Sequence, residues 1–318
     1  MKVALTGANG FLGAHIAKAF IEEGHSVIAL VRASADLSTI QNIPGLIIEN
    51  IDYRKELFSQ FSQLKEKHGE LDLFIHNAGV TVSLNSQEYF DINSKLSGEI
   101  VKSLETAGWV NESGKILYVS SLTVAGPRGI SHPVSKYGES KKQAEKFFED
   151  SKYQHLIIRP TAIYGAGDYA FLPLIKGAIS KVYPVTNKTQ KMSMVHGKDL
   201  AGVILEESKT GVGLMHVSDG ITYTHDDFIA ALSKVLNKKI YKIPISPGLS
   251  KIMLGISDFW HKLTNKRPSI TLEKFQEITH DWNSHEDSSL KFSKVACKTT
   301  LEEGFQDAYE FYKSKKLL

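Results

Sequence analysis

The first half of the chain alternates short apolar, often β-branched runs with longer segments whose apolar residues recur every three to four positions. Continuous short runs predict strands that are buried on both faces, and the 3.6-residue period predicts helices that cover them. This alternation is typical of a parallel sheet with crossover helices. The predicted strands are 2–6, 26–31, 46–49, 71–76, 115–120 and 155–159, and the predicted helices are 11–23, 54–67, 86–107 and 134–151.

The pattern changes after Pro160, where helical periods dominate and prolines at 244, 247 and 268 interrupt them. The predicted helices here are 169–180, 197–208, 224–237, 248–263, 271–279 and 300–314, and the predicted short strands are 192–195, 213–217 and 239–243. We expect a first domain over 1–165, to which 194–217 and 239–244 return. Residues 166–318 are expected to form a smaller, mostly helical substrate or lid domain.

Composition narrows the class of protein. The 318 residues carry a net charge of +3, with 38 basic and 35 acidic side chains, so nothing demands nucleic acid or an anionic membrane as a partner. A single cysteine, Cys297, excludes an intrachain disulfide framework. A strand predicted from residue 2 leaves no room for a signal peptide, and the apolar stretch at 244–263 contains charges and falls short of a membrane span. We therefore expect a cytoplasmic protein.

A glycine-rich loop, TGANGFLG, follows the first predicted strand and opens the first helix. Gly7, Gly10 and Gly13 permit a tight turn and let backbone N–H groups, those of Phe11 and Leu12 included, approach a pyrophosphate at the helix N-terminus. A lone glycine pattern is weak, but this position between strand and helix makes it specific. The sequence therefore predicts a doubly wound Rossmann fold of the α/β class.

The end of the second predicted strand indicates which dinucleotide binds. Enzymes that use NAD usually place Asp or Glu here for the ribose hydroxyls, whereas this chain has Arg32. A guanidinium suits a 2′-phosphate because it bonds two phosphate oxygens at once. The cofactor is therefore predicted to be NADP(H), with NAD(H) as the alternative; an ordinary solvated arginine is the other interpretation.

Two further strand ends supply candidate cofactor contacts. Asp52 and Tyr53 follow the third strand, where a carboxylate accepts from an adenine amino group or, equally well, caps the next helix. Asn77, Ala78 and Gly79 follow the fourth strand and would let the backbone lie against the adenosine ribose, or simply form a turn.

The candidate chemistry lies in PVSKYGESKKQAE, where Tyr137 and Lys141 are four residues apart and share one helix face. A buried cation beside a phenol favours the phenolate and lowers the pKa of the phenol from about 10. Ser121, upstream in LYVSSLTVAG, offers a hydroxyl that holds a carbonyl oxygen while the phenol gives or takes a proton. These residues beside a nucleotide loop predict an enzyme of hydride transfer.

Five motifs in order, TGANGFLG, HNAG, VSSLTVAG, YGESK and RPTAIYG, make residues 1 to about 201 resemble the extended short-chain dehydrogenase/reductase family, which is epimerase/dehydratase-like. LTNKRPSITLEKF and TTLEEGFQDAYEFY resemble the dihydroflavonol reductase and 3β-hydroxysteroid dehydrogenase-like branch. The resemblance implies that Tyr137 is the general acid/base and that Ser121 binds the substrate oxygen. Lys141 would hold the nicotinamide ribose and depress the pKa of the tyrosine.

The resemblance also implies contacts around the nicotinamide and the substrate. Pro160 and the backbone at Ile163 would approach the carboxamide, and Asn93 would support Lys141 through water unless it is merely solvated. The residues expected beside the substrate are Thr81, Ser121, Thr123, Tyr164 and Met192. A homodimer formed by the helices 86–107 and 134–151 is implied as well.

Met192 departs from the pattern of nucleotide-sugar epimerases, which usually carry an arginine for the substrate diphosphate at this place, seven residues before Asp199. Lys191 would be a poorer substitute because it lacks the forked donor geometry. A neutral, fairly apolar carbonyl compound is therefore the expected substrate, with a nucleotide-sugar epimerase or dehydratase holding NAD as the alternative. A non-catalytic NADP sensor is a third interpretation, although such proteins commonly lose the tyrosine or lysine.

Two remaining patterns are weighed against simpler explanations. The helix at 248–263 has an apolar stripe that is more often ordinary core than a hydrophobic lid. His196, His216, His225 and His261 show no metal-ligand spacing, so no metal is expected.

Overall fold

Seven parallel strands form the central sheet of the protein, here described from a computed structural model that covers residues 1–128, 132–264, 271–283 and 290–318. The strands are β1 (Lys2–Thr6), β2 (Ser26–Val31), β3 (Ile47–Asn50), β4 (Leu71–His76), β5 (Val110–Val119), β6 (Gln154–Pro160), β7 (Ala162–Tyr164), β8 (Val182–Val185), β9 (Lys191–His196), β10 (Gly213–Val217), β11 (Thr222–Thr224) and β12 (Tyr241–Pro244). The helices are α1 (Phe11–Glu22), α2 (Leu57–His68), α3 (Ser86–Tyr89), α4 (Leu96–Ala107), α5 (Lys136–Glu149), α6 (Leu172–Ile179), α7 (Gly197–Thr210), α8 (His225–Leu236), α9 (Pro247–Thr264), α10 (Leu272–Ile278) and α11 (Leu301–Ser314).

The central sheet has the order β10-β6-β5-β4-β1-β2-β3. The order reverses between β1 and β4, and this switch point opens a crevice at the carboxyl ends of the strands. Apolar side chains alternate between the two sides, so one buried cluster lies under α1 and α7 and another under α2, α4 and α5. The fold is the doubly wound α/β arrangement that the alternating pattern predicts.

The second half of the chain builds a separate core from α6, α8, α11 and two small sheets. One sheet has the order β11-β9-β7, and β12 pairs with β8 in the other. Capping boxes start α8 at Thr224 with Asp227 and α11 at Thr300 with Glu303, which fixes where these helices begin. The second lobe therefore contains more β-structure than the sequence pattern indicates.

The strand pairing corrects one expectation about which segments of the second half join the first domain. The strand β10 joins the central sheet next to β6, and α7 packs beside α1. The expectation for 239–244 is wrong, because β12 pairs with β8 in a two-stranded sheet. Local pattern shows that a segment is extended but does not identify its partner. The domain division at 165 stays a prediction.

Predicted helix 86–107 is one continuous helical element in which Phe90–Lys95 forms a π-helix between α3 and α4. π-Helical turns are rare inside helices and occur often at functional sites. Asn93, within this turn, is fully buried. Among the described residues, no helix combines the length and hydropathy needed to cross a bilayer.

Candidate active site

One cavity of about 2470 Å³ runs along the carboxyl edge of the central sheet and into the second lobe. Its lining includes most of the residues singled out from the sequence, namely Gly7, Gly10, Phe11, Leu12, Arg32, Asp52, Tyr53, Asn77, Ala78, Gly79, Thr81, Ser121, Thr123, Tyr137, Lys141, Pro160, Ile163 and Met192. Residues spread over nearly 190 positions of the chain therefore face one space, although their individual roles stay predictions.

The glycine loop forms a cradle that larger residues would fill. Gly7 has φ +67°, and a Cβ there would lie 2.9 Å from the backbone of Ala78. A Cβ at Gly13 would collide with the carbonyl oxygen of Gly7, so Gly13 serves close packing of α1 and does not line the cavity. The N-cap of α1 is Gly10, which offers no side-chain acceptor to the first-turn N–H groups. The chain thus leaves a positive helix terminus facing the cavity, which fits a dinucleotide pyrophosphate.

Arg32 stands exposed at the end of β2 and lines the cavity. Within the described part of the chain, no carboxylate lies within ion-pair distance of its guanidinium. Asp36, which also lines this end, accepts hydrogen bonds from the backbone N and the hydroxyl of Ser38 instead. The arrangement offers an uncompensated forked cation at the place expected for the 2′ position of an adenosine ribose.

Asp52 is engaged with its neighbour. Its carboxylate accepts from the Nε of Arg54 at 3.0 Å and from the backbone N of Arg54, and these hydrogen bonds lower its pKa. The helix α2 begins only at Leu57, with Glu56 as N-cap, so the interpretation of Asp52 as a helix cap is wrong. The Asp52 side chain lies on the cavity wall, where its predicted adenine contact stays a prediction.

A buried polar chain fixes the turn at 77–79. The Thr6 hydroxyl accepts from the backbone N atoms of Asn77 and Ala78, each at 3.1 Å, so its own proton points to His76 Nδ1 at 2.8 Å. His76 Nε2–H then donates to Ser97 Oγ at 2.9 Å. Burial lowers the pKa of His76 to about 3, so the imidazole is neutral at physiological pH.

The neutral, buried His76 in this hydrogen-bond network predicts that the free energy of unfolding decreases in acid. Below about pH 6.5 the unfolded chain protonates His76 while the folded chain does not, so stability present above that pH is lost as the pH falls towards 3. Protonation of His76 in the unfolded chain alone should lower the free energy of unfolding by about 2 kcal/mol between pH 7 and pH 5. Urea unfolding of His76→Gln should show a correspondingly smaller loss over that interval, whereas His155→Gln should match the parent. Equal losses in the parent and His76→Gln would contradict the assignment.

The three candidate catalytic side chains all line the cavity. Ser121 caps the short 3₁₀ turn Leu122–Val124, and its Oγ accepts from the hydroxyl of Thr123 at 2.9 Å. The Ser121 hydroxyl lies close enough to the Tyr137 phenol to oppose the rise in the pKa of that phenol. The neighbouring Ser120 hydroxyl turns away and donates to Glu145 at 2.5 Å. The side chains thus distinguish the two serines, and Ser121 is the one beside the phenol.

Lys141 lies one turn after Tyr137 on α5 and is buried, with its side chain on the cavity wall. Its Nζ donates to the carbonyl oxygen of Val119 at 2.9 Å and lies 4.7 Å from the ring centroid of Tyr118. Burial lowers the pKa of Lys141 to about 8, which still leaves the amine mostly protonated at pH 7. The Asn93 amide bonds both the N and the O of Val80, so the interpretation of a merely solvated asparagine is wrong. Its contact with Lys141 through water stays a prediction.

The pKa of Tyr137 moves opposite to the expectation. Burial raises the pKa, and the charge of Glu277 raises it further, while the hydrogen bond with Ser121 opposes both. Lys141 bonds to the Val119 carbonyl and is not a cause of the shift. The expected depression by the amine is therefore absent from this structure, and the phenol holds its proton firmly at neutral pH.

Glu277 and Lys274 form a site feature that the sequence did not reveal. Both lie on α10 and line the cavity, and Lys274 Nζ is paired with Glu277 while sitting 5.1 Å from the ring centroid of Tyr137. Glu277 also accepts from the hydroxyl of Ser135, the N-cap of the helix that carries Tyr137. These residues follow Tyr137 by more than 130 positions, and no local spacing signals their approach.

Tyr164 does not belong to the cavity. It is almost completely buried, packs on Phe171, Phe305 and His196, and donates to the carbonyl oxygen of Thr300 at 3.3 Å. The expected substrate contact is therefore wrong, because the β7–β9 pairing turns this side chain into the core of the second lobe.

The substrate half of the cavity is largely apolar. Its described walls include Phe171, Met192, Phe228, Met253, Leu254, Phe275 and Trp282. Met192 faces the cavity, whereas Lys191, the next residue on β9, is not part of the lining. Within the part of the chain that the structure describes, no three His, Cys, Asp or Glu side chains come together as metal ligands.

Comparison with known proteins agrees with this geometry. A model of the NAD dependent epimerase/dehydratase family matches residues 3–210. The ceramide reductase of Caulobacter vibrioides is 28% identical over 320 residues, covering 98% of this chain and 94% of the relative. The 4-hydroxy-2-methyl-3-oxo-4-farnesyl-3,4-dihydroquinoline-1-oxide ketoreductase of Stigmatella aurantiaca is 25% identical, covering 83% and 82%. The UDP-glucuronic acid 4-epimerase of Bacillus cereus, solved with UDP-glucuronic acid and NAD, shares the fold with a TM-score of 0.73 at 18% identity, covering 99% and 100%.

Proposed function

Because the chain belongs to the NAD dependent epimerase/dehydratase family, we propose that it is an NADPH-dependent reductase of an apolar ketone or aldehyde. The observation that carries the proposal is that Ser121, Tyr137 and Lys141 line the same cavity as the glycine loop. The apolar walls around Met192 favour a substrate without a diphosphate. Two relatives act, by name, on lipid-like carbonyl compounds, which supports the same substrate class.

Each residue has a definite task in this reaction. The first-turn N–H groups of α1 would bind the pyrophosphate, Arg32 the 2′-phosphate and Lys141 the nicotinamide ribose. NADPH held by these residues would supply the hydride for the carbonyl carbon. Ser121 holds the carbonyl oxygen, and Tyr137 donates its proton to that oxygen to complete the alcohol.

The raised pKa of Tyr137 keeps the phenol in its acid form at neutral pH. A phenol that stays protonated at neutral pH is ready to act as an acid, whereas alcohol oxidation needs the phenolate as a base. Burial and the Glu277 carboxylate both contribute to this state. We therefore propose that Tyr137 enters the reduction as the protonated acid at neutral pH.

Replacing Glu277 with glutamine should move the pH profile of the reaction. Loss of the negative charge removes one cause of the raised pKa of Tyr137, so the alkaline fall of kcat/KM for reduction shifts to lower pH. Activity at pH 7 should change by less than the roughly 10²-fold that loss of acid catalysis costs. Glu273→Gln is the control, since Glu273 lies one turn earlier on α10 and does not shift the pKa of Tyr137. Superimposable profiles for the parent and Glu277→Gln would contradict the coupling.

The epimerase alternative makes a different prediction. An enzyme that recycles tightly held NAD should co-purify with the dinucleotide and act without added cofactor. The absorbance of purified protein and turnover without NADPH test this directly. Bound NAD together with conversion of a UDP-sugar would replace the reductase proposal.

A further inference from the structure

The apolar stripe of helix α9 faces away from the rest of the protein. Phe259 is 60% exposed and Trp260 61% exposed. The other exposed apolar side chains of the stripe are Leu249, Ile252, Met253, Ile256 and Leu263. Nearby Tyr241 and Ile243 on β12 are exposed as well. Contiguous exposed apolar surface of this kind marks an interaction site, and the expectation that this stripe is ordinary core is wrong.

Polar contacts on the opposite face hold α9 in this orientation. Ser250 is buried and its hydroxyl lies 3.3 Å from that of Thr186. Asp258 accepts from the backbone N of Leu272 at 2.9 Å, which ties α9 to the start of α10. The helix is thus amphipathic in the reverse sense for a soluble protein, with polar side chains inward and apolar side chains outward.

The charge of the sequence around α9 indicates what kind of partner its apolar stripe would contact. Residues 238–267 contain seven basic side chains and one acidic side chain in a chain whose total charge is only +3. The one acidic residue is Asp258, which is the inward-facing residue bonded to Leu272. Lys251 lies on the exposed side and Lys242 is paired with Asp226. An apolar stripe with aromatic residues, in a part of the sequence that has an excess of basic residues, fits the interface of an anionic bilayer.

The stripe is continuous with the mouth of the cavity. Met253 is exposed on α9 and also lines the cavity, and Leu254 beside it does the same from a half-buried position. A surface that rests on α9 therefore lies next to the apolar, substrate-side opening.

We propose that α9 lies in the interfacial plane of an anionic lipid bilayer and places the substrate opening against the membrane. A second copy of the chain fits this face less well, because two segments with the same excess of positive charge would oppose each other. The expected dimer helices, α4 and α5, are different elements, so dimerisation through them leaves α9 exposed. The proposal concerns peripheral binding, in keeping with the absence of a spanning helix among the described residues.

Trp260 is a built-in reporter for this contact. The chain has three tryptophans, and Trp109 and Trp282 are buried, with exposures of 0% and 8%. The full-length protein is mixed with phosphatidylcholine vesicles that contain or lack phosphatidylglycerol. We expect a blue shift of the fluorescence and co-sedimentation with the phosphatidylglycerol vesicles, both weakened by added salt. The measurement needs no cofactor or turnover, so its outcome does not depend on whether the reductase proposal is correct.

A matched pair of double variants tests the surface itself. Ile252→Gln/Ile256→Gln removes apolar carbon from the stripe and should weaken partition by about tenfold or more. Val212→Gln/Ile221→Gln changes two apolar residues elsewhere that are about half exposed, and this variant should partition like the parent.

Three results would overturn the proposal. They are no partition into phosphatidylglycerol vesicles, equal losses in both double variants, and a dimer in light scattering that Ile252→Gln/Ile256→Gln dissolves. The last result would assign the stripe to a second copy of the chain. Equal partition into vesicles with and without phosphatidylglycerol would overturn the electrostatic part.

Discussion

Tyr137→Phe is expected to lower kcat for carbonyl reduction by about 10²- to 10⁴-fold, the usual contribution of a positioned general acid. The phenylalanine keeps the ring and its packing but removes the proton that Tyr137 would donate to the substrate oxygen. NADPH binding, followed by cofactor fluorescence, should stay close to that of the parent, because the glycine loop and Arg32 are untouched. The loss should therefore appear in kcat and not in cofactor affinity.

Tyr89→Phe is the matched control for that substitution. Tyr89 packs edge-on against Tyr137, with ring centroids 6.0 Å apart, and its hydroxyl accepts from the backbone N of Ser83. Removing this hydroxyl costs one structural hydrogen bond without touching the proton donor. If Tyr137→Phe kept nearly full kcat, or if both variants lost activity equally, Tyr137 would not be the acid.

Arg32→Asp is expected to reverse the cofactor preference. A guanidinium–phosphate contact contributes about 1.5–3 kcal/mol per charged hydrogen bond, so losing it should lower kcat/KM with NADPH by about 10²-fold. The new carboxylate repels the 2′-phosphate and accepts from a ribose hydroxyl, so activity with NADH should hold or rise. Steady-state kinetics with both cofactors measure the ratio.

Lys55→Asp is the control that separates a direct contact with the 2′-phosphate from the general electrostatic effect of a charge at this end of the cavity. It makes the same change of charge at the same end of the cavity, and Lys55 also lines the wall. We expect a much smaller change in the NADPH to NADH ratio than with Arg32→Asp, since screening weakens a charge that makes no direct contact. A parent enzyme that prefers NADH, or an Arg32→Asp variant with an unchanged ratio, would contradict the NADP assignment.

The local sequence predicted the central sheet because its strands and helices carry strong, regular patterns. The short strands β7, β8 and β11 escaped prediction, since three or four residues show no period and form only through pairing with distant segments. The same limit explains Tyr164. Its motif directly follows the sixth strand, but pairing of β7 with β9 decides which way its side chain points.

The helix at 247–264 illustrates a different limit. Its period was enough to predict a helix, but a period does not tell whether the apolar stripe faces protein or solvent. The inward contacts of Ser250 and Asp258 with distant residues decide that. The raised pKa of Tyr137 has the same kind of cause, because it comes first from burial and then from Glu277, which approaches from α10. Long-range contacts, and not local spacing, set the finer properties of the candidate site.

Transfer of isotope from cofactor to product tests the central claim most directly. Purified protein is incubated with NADPH carrying deuterium at C4 of the nicotinamide and with a panel of long-chain ketones and aldehydes. We expect the parent to form an alcohol one mass unit heavier. Tyr137→Phe should form it about 10²- to 10⁴-fold more slowly. Absence of deuterated alcohol across the panel, alongside conversion of a nucleotide sugar without added NADPH, would contradict it.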